Sequence, residues 1–177
     1  MTIDPQNPSI LYAGTTSLAG IMDSLVFKST DGGRTWIAPK AELRSPACSW
    51  GISTLAVDPQ NPSDVYAATS DCNDQGGGLW KSSDGGTTRG KPLLNVLGYA
   101  SPVVVVDPQP PGVVYAATQG GGVVKSTDEG ESWKAVNPGL PNYIWVGSLA
   151  IDPRNSRKLY AGTYGSGVLA ITFATGR

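Results

Sequence analysis

Three observations predict an all-β chain made of repeated antiparallel strands. One motif recurs four times along the 177 residues: an apolar run, Asp-Pro, a short polar turn, then Tyr-Ala, Gly or Ala, and Thr. Glycine and proline contribute 23 and 14 residues, a turn content that argues against a helical bundle. No segment carries a sustained helical period that would compete with strands. The aspartates Asp4, Asp58, Asp107 and Asp152 are spaced by 54, 49 and 45 residues, and Tyr12, Tyr66, Tyr115 and Tyr160 follow at the same steps. The Asp-to-Tyr unit is therefore 8 residues in every copy. Length variation falls outside it, as expected of repeated supersecondary units.

Each unit reads as four strands. Strand A is the β-rich run ending at Asp-Pro, such as residues 52–57 and 103–106. Asp-Pro-Gln-Asn-Pro-Ser then makes a turn, because its residues initiate turns and cannot continue a ladder. Strand B is the Tyr-Ala-(Gly/Ala)-Thr run. Strand C is a short alternating stretch at residues 25–29, 78–82, 122–126 and 167–171. A second tight turn, Thr30-Asp31-Gly32-Gly33 in the first copy, leads to strand D at 35–37, 88–93 or 132–136; Asp-Gly between apolar runs is a strong hairpin signal. Four antiparallel strands per unit form the blade of a β-propeller. The expected blades are approximately 1–46, 47–96, 97–138 and 139–177. The first and last are incomplete, since repeat one starts at the tail of strand A and repeat four stops after strand C.

Composition narrows the chemistry. The length predicts one domain, and 40% hydrophobic residues allow a core. Thirteen basic against 14 acidic residues leave a net charge of −1, which disfavours nucleic-acid binding through a basic face. The absence of histidine removes Ser-His-Asp, Cys-His and His-ligated metal chemistry, and neither a cofactor nor a metal is expected. No run approaches the roughly 20 apolar residues of a membrane span, so membrane insertion is not expected. Met-Thr-Ile-Asp-Pro lacks the basic and apolar regions of a signal peptide, and starting mid-repeat it reads as part of a longer protein.

The second tight turns carry a family resemblance. Ser29-Thr30-Asp31-Gly32-Gly33-Arg34-Thr35-Trp36 resembles the Asp-box, Ser-x-Asp-x-Gly-x-Thr-Trp, of BNR-repeat propellers. A second copy runs from Ser126 through Asp128 and Gly130 to Trp133. A third, Ser82, Asp84 and Gly86, departs by placing Arg89 where Trp belongs, which predicts a looser hairpin. The fourth repeat has lost the box. With the Asp-Pro…Tyr-Ala-Gly-Thr unit, the chain resembles sialidase-like propellers, sortilin, photosystem assembly propellers and family 74 xyloglucan hydrolases. The box reads as a structural staple: its Asp accepts backbone hydrogen bonds, its Gly supplies a positive φ and its Trp covers the turn. Lys28, Lys81 and Lys125, just before the boxes, read as solvated positions on strand C.

In an up-and-down blade the A–B and C–D turns share one end, and the variable B–C loops and D-to-A connections share the other. Function on a rigid scaffold sits in variable loops, here 16–24, 38–50, 70–77, 98–101, 119–121, 137–145 and 164–166. Trp50, Tyr99, Tyr143, Trp145 and Tyr164 are the candidate ligand-binding residues of that face. Such rings stack on sugars, anchor protein partners, or pack between blades, the last preferred for Trp50 and Trp145. Acids are few there; Asp71 and Asp74 are the candidate catalytic carboxylates. Resemblance to family 74 implies an acid directly after Tyr-Ala-x-Thr, but Thr16, Ser70, Gln119 and Tyr164 stand there, and Asp71 is one residue late. Sialidase-like chemistry implies an arginine cluster, and only Arg44 is so placed.

Cys48 and Cys72 fall at the open mouth of the repeat-two hairpin. They read either as a disulfide, which implies an oxidising compartment and an exported parent, or as two unrelated small residues. The leading expectation is a non-enzymatic propeller module binding a protein or glycan through its loop-rich face. The alternative is a piece of a family 74-like or sialidase-like hydrolase. Open blade edges at both ends also invite self-association.

Overall fold

The computed structural model describes residues 1–15, 26–38, 51–70, 77–87, 91–96, 102–118 and 120–173. It is all-β: fourteen strands and no helix among these residues. They form four antiparallel sheets in chain order. Sheet one is β1 (Thr2–Ile3), β2 (Leu11–Gly14) and β3 (Val26–Ser29). Sheet two is β4 (Gly51–Val57), β5 (Val65–Ser70), β6 (Gly77–Ser82) and β7 (Lys91–Val96). Sheet three is β8 (Val103–Val106), β9 (Val114–Thr118), β10 (Gly122–Ser126) and β11 (Lys134–Ala135). Sheet four is β12 (Val146–Ile151), β13 (Lys158–Thr163) and β14 (Gly167–Thr172). Two four-stranded blades are thus flanked by two three-stranded ones.

Strand D departs most from the sequence reading. In blade one it shrinks to a bridge between Lys28 and Ile37, with reciprocal N–H···O bonds of 2.9 Å. In blade three it keeps only Lys134–Ala135, because Ser132 and Trp133 are held by the preceding turn. In blade two it shifts to Lys91–Val96, paired with β6 across a register shift between Leu79 and Trp80. Pro92 is tolerated there because an edge strand needs no donor on its outer side.

The first strands of the blades converge on one cleft of about 470 Å³ lined by Thr2, Leu55, Val57, Val104, Val106 and Leu149, among others. Successive blades stack face to face. Tyr66, Ala68 and Leu79 of blade two bury against Val104, Val106, Val114 and Ala116 of blade three. Tyr115, Ala117 and Val123 of blade three bury against Leu159, Ala161 and Ile171 of blade four. Tyr12 and Val26 of blade one meet Leu55, Val57 and Val65 of blade two. Period-two alternation makes this possible: each blade turns its tyrosine face toward its successor.

At one end the two tight turns of a blade clasp each other. Gly32 N–H donates to Ser9 O, Gly85 to Ser63 O and Glu129 to Gly112 O, at 2.8–2.9 Å. In the A–B turns, Asp4, Asp58, Asp107 and Asp152 each accept from the N–H two residues on, at 2.8–3.0 Å. A glutamine from each of the first three A–B turns then reaches the next blade. Gln6 Nε2 donates to Pro59 O at 2.9 Å, Gln60 to Pro108 O at 3.3 Å and to Gln109 O, and Gln109 to Pro153 O at 3.0 Å.

Candidate functional site

The box turns are built alike. Ser29 Oγ donates to Asp31 Oδ1 at 2.8 Å and accepts from Gly33 N–H at 2.9 Å. Asp31 also accepts from Thr35 N–H at 2.9 Å and Thr35 Oγ1 at 2.6 Å. Ser126, Asp128, Gly130 and Ser132 repeat the pattern at 2.6–2.8 Å. Trp36 and Trp133 donate Nε1–H to Gly33 O and Gly130 O at 3.1 and 2.9 Å, a contact the motif alone did not suggest. In the second box Ser82 binds Asp84 and Gly86 the same way, at 2.7 and 3.0 Å. There the neighbouring Thr87 N–H donates to Asp84 Oδ1 at 2.9 Å; Arg89 lies outside the described residues. Gly33, Gly86 and Gly130 have φ of +88°, +78° and +98°, the left-handed region that favours glycine.

Hydroxyl and N–H donors hold both carboxyls ionised. Led by the Thr35 hydroxyl, those on Asp31 lower its pKa to about 2, and those on Asp128, led by the Ser132 hydroxyl, do the same. The folded value lies below the ordinary 3.8, so the stabilisation is present above pH about 4 and is lost as pH falls toward about 2. Melting temperatures should fall through that window, and fall less steeply in Asp128→Asn. Parallel pH profiles for the two proteins would show that the turn carboxylate does not contribute.

The strand-C lysines are not solvated positions. Lys28 Nζ donates to Gly85 O at 2.9 Å, beside the Tyr12 hydroxyl, which donates to the same carbonyl at 3.2 Å. Lys81 Nζ pairs with Asp64 Oδ2 at 2.9 Å and Glu129 Oε2 at 2.7 Å, its side chain only 11% exposed. Burial alone would lower the Lys81 pKa, but the hydrogen bonds to Glu129 and Asp64 outweigh it and hold the pKa above the usual lysine value. Each ammonium lies over the tyrosine of its own blade, 5.3, 5.7 and 5.3 Å from the ring centroids of Tyr12, Tyr66 and Tyr115. Blade n thus presents a Tyr–Lys pair that latches the box turn of blade n+1. Where blade four lacks a box, Phe173 stacks on Tyr115 at 5.5 Å and meets Lys125 at 5.2 Å. The signal was the lysine's pairing with the tyrosine across two strands; its partner in the next blade is invisible locally.

The opposite end of the molecule carries the candidate ligand face. Three of the five candidate aromatics are described, and they gather there. Tyr143, Trp145 and Tyr164 are 87%, 52% and 72% exposed. Trp145 therefore does not pack between blades as preferred from sequence: only Val146 and Ile144 beside it enter the core. Trp145 O accepts from Tyr164 N–H at 2.9 Å, and their rings meet edge to face at 6.4 Å and 82°. A register shift between Val146 and Ser148 places Gly147 beneath the Tyr164 ring, where a Cβ would approach Cε2 to 2.9 Å. Tyr143 has a φ of +59°, a strained backbone that projects its ring at the rim of a groove. That groove, about 430 Å³, is floored by Gly120–Gly122 and walled by Asn137, Leu140 and Pro141. Asn137 pins the floor, accepting from Val123 N–H at 2.7 Å and donating to Gly121 O at 3.2 Å. Trp50, Tyr99, Asp71, Asp74, Cys48 and Cys72 lie outside the described residues.

Comparison with known proteins agrees with this architecture. No protein-family profile matches the chain. It is 31% identical over 170 residues to the oligoxyloglucan-reducing end-specific xyloglucanase of Emericella nidulans, covering 92% of this chain and 20% of that protein. It is 33% identical over 98 residues to the xyloglucanase of Hypocrea jecorina, covering 51% of this chain and 11% of that enzyme. Among solved structures, the GH74 enzyme of Niastella koreensis superposes with a TM-score of 0.77 at 25% identity, over 99% of this chain and 28% of that one. The chain has a β-propeller fold, its described residues forming four antiparallel sheets of three or four strands. Its blades are similar to those of xyloglucanases, and it spans about a fifth of the length of the Emericella relative.

Proposed function

We propose that this chain is part of a xyloglucanase-like glycoside hydrolase propeller, and that blade four supplies a platform on which sugar rings stack. The single observation that carries the reading is the presence of three exposed rings at the loop end of blades similar to those of xyloglucanases: Tyr143 at the rim of a groove, and Trp145 in contact with Tyr164. This favours the alternative over the non-enzymatic module that sequence reasoning ranked first. Aromatic faces match the apolar faces of pyranose rings, while the polar groove wall offers hydrogen bonds to hydroxyls. The platform binds rather than cleaves. Glycoside hydrolysis needs two carboxyl groups roughly 5–9.5 Å apart, and residues 119–121, 137–145 and 164–166 contain none. Asp71 and Asp74 are the candidates for that chemistry within this chain, and a parent of this type would be exported.

Calorimetric titration with a xyloglucan oligosaccharide tests the reading. Trp145→Ala and Tyr143→Ala should each weaken binding about tenfold, ~1.4 kcal/mol. Gly147→Ala, which pushes the Tyr164 ring aside, should weaken it without lowering the melting temperature. Unchanged affinity in all three would place the site elsewhere.

A further inference from the structure

Among the described residues, Glu129 and Tyr143 have a left-handed backbone without being glycine, and only Glu129 is compensated inside the fold. Glu129, with φ of +60°, stands where the first two boxes carry Gly32 and Gly85. Its N–H donates to Gly112 O at 2.9 Å, its Oε2 takes the Lys81 ammonium at 2.7 Å, and its carbonyl accepts from the Tyr66 hydroxyl at 3.4 Å. Tyr143, with φ of +59°, has nothing comparable. Its ring is almost wholly exposed, and its hydroxyl has no hydrogen-bond partner among the described residues. A bulky side chain in that backbone region costs stability, so glycine would fold more easily there. Strain of this kind clusters at ligand clamps and active sites.

The Tyr143 ring stands at the rim of the groove floored by Gly120–Gly122. The B–C loop of blade three gives the floor and the connection into blade four gives the wall, so both sides belong to this chain. Gly120 N–H donates to Ile144 O at 3.3 Å, which ties the floor to the wall beside Tyr143. Neither Trp145 nor Tyr164 lines the groove, and none of the side chains that do carries a charge. Asn137 uses one amide N–H and one lone pair on the floor, which leaves its second N–H and second lone pair for a ligand. Asn142 adds another amide. An aromatic face above amides, with no ion beside them, suits a neutral ring rich in hydroxyls.

We infer that this groove is a sugar subsite separate from the Trp145–Tyr164 surface, and that the left-handed backbone of Tyr143 is what hangs its ring over the glycine floor. This rests on the glycan-binding reading above, and adds to it a second subsite and a residue whose strain is offset only by the bound sugar.

Calorimetric titration with a neutral xyloglucan oligosaccharide, paired with thermal melts of the unliganded proteins, tests it. Tyr143→Gly should weaken binding about tenfold and raise the melting temperature by about 2–4 °C, because glycine relieves the strain. Tyr143→Ala should weaken binding equally but melt with the wild type, since it removes the ring and keeps the backbone penalty. Tyr143→Phe, which keeps an aromatic face, should bind nearly as well as the wild type. Gly120→Asn should weaken binding about tenfold with the melting temperature unchanged: asparagine tolerates a left-handed backbone, and a Cβ there meets nothing within 4 Å, so its amide occupies the floor. Binding that Trp145→Ala weakens but Tyr143→Gly and Gly120→Asn leave unchanged overturns the subsite and spares the platform. A Tyr143→Gly protein that melts no higher than Tyr143→Ala overturns the role of strain. No binding to the wild-type chain overturns the glycan reading and the subsite together.

Discussion

Trp133→Arg should destabilise the protein by about 2–3 kcal/mol, while Trp36→Arg, at the same position of the first box, should cost less than about 1 kcal/mol. Both indoles donate to the glycine carbonyl of their own turn, so the difference isolates what lies beyond the turn. Trp133 packs partly buried against the cluster of Tyr66, Val104 and Val114, and an arginine there withdraws apolar area from two blades at once. Trp36 is 37% exposed, and there arginine keeps its stem on the surface and its charge in water. Thermal and urea melts measure both. Equal losses would mean that the tryptophan acts only on its own hairpin and that blade stacking contributes nothing.

Lys81→Met should be the other large loss, about 3 kcal/mol. Asp64 is 3% exposed, and its Oδ1 is buried without a hydrogen-bond partner among the described residues. Removing the ammonium would therefore strand a buried carboxylate, the situation in which breaking an ion pair is most destabilising. Replacing both members, Lys81→Met with Asp64→Leu, should recover most of the loss, since an apolar pair of similar volume removes the desolvation penalty. Lys125→Met is the contrast. Its ammonium lies over the Tyr115 and Phe173 rings at 5.3 and 5.2 Å, an interaction worth about 0.5–1 kcal/mol where partly exposed. A double-mutant cycle that finds no coupling between Lys81 and Asp64 would contradict this account of the buried ion pair.

The fold was largely legible because one covalent distance repeats. Eight residues from Asp to Tyr in each copy leave room for a turn between two strands and little else, so strands A, B and C followed within a residue or so. Strand D was harder to place. Its residues are shared between the box turn and the ladder, and the competition among Ser132, Trp133 and the Asp128 carboxylate is settled by side-chain hydrogen bonds. The lysines were misread for a related reason. Strand periodicity says which face Lys81 occupies, but one of its two carboxylate partners, Glu129, lies 48 residues away in the next blade. Gathering of the platform was partly legible. Aromatics at loop positions marked Tyr143, Trp145 and Tyr164, but the register shift between Val146 and Ser148, which sets Gly147 beneath the Tyr164 ring, has no local sequence signal.

Mapping of a xyloglucan oligosaccharide by NMR tests the functional account most directly. The account predicts that, in the full chain, saturation transfer to the sugar and shift changes in the protein centre on the aromatic protons of Tyr143, Trp145 and Tyr164 and on the amides of Gly120–Gly122, while the box turns at the opposite end stay unperturbed. Shifts that centre on the box turns, or saturable binding that leaves Trp145 unchanged, would contradict it.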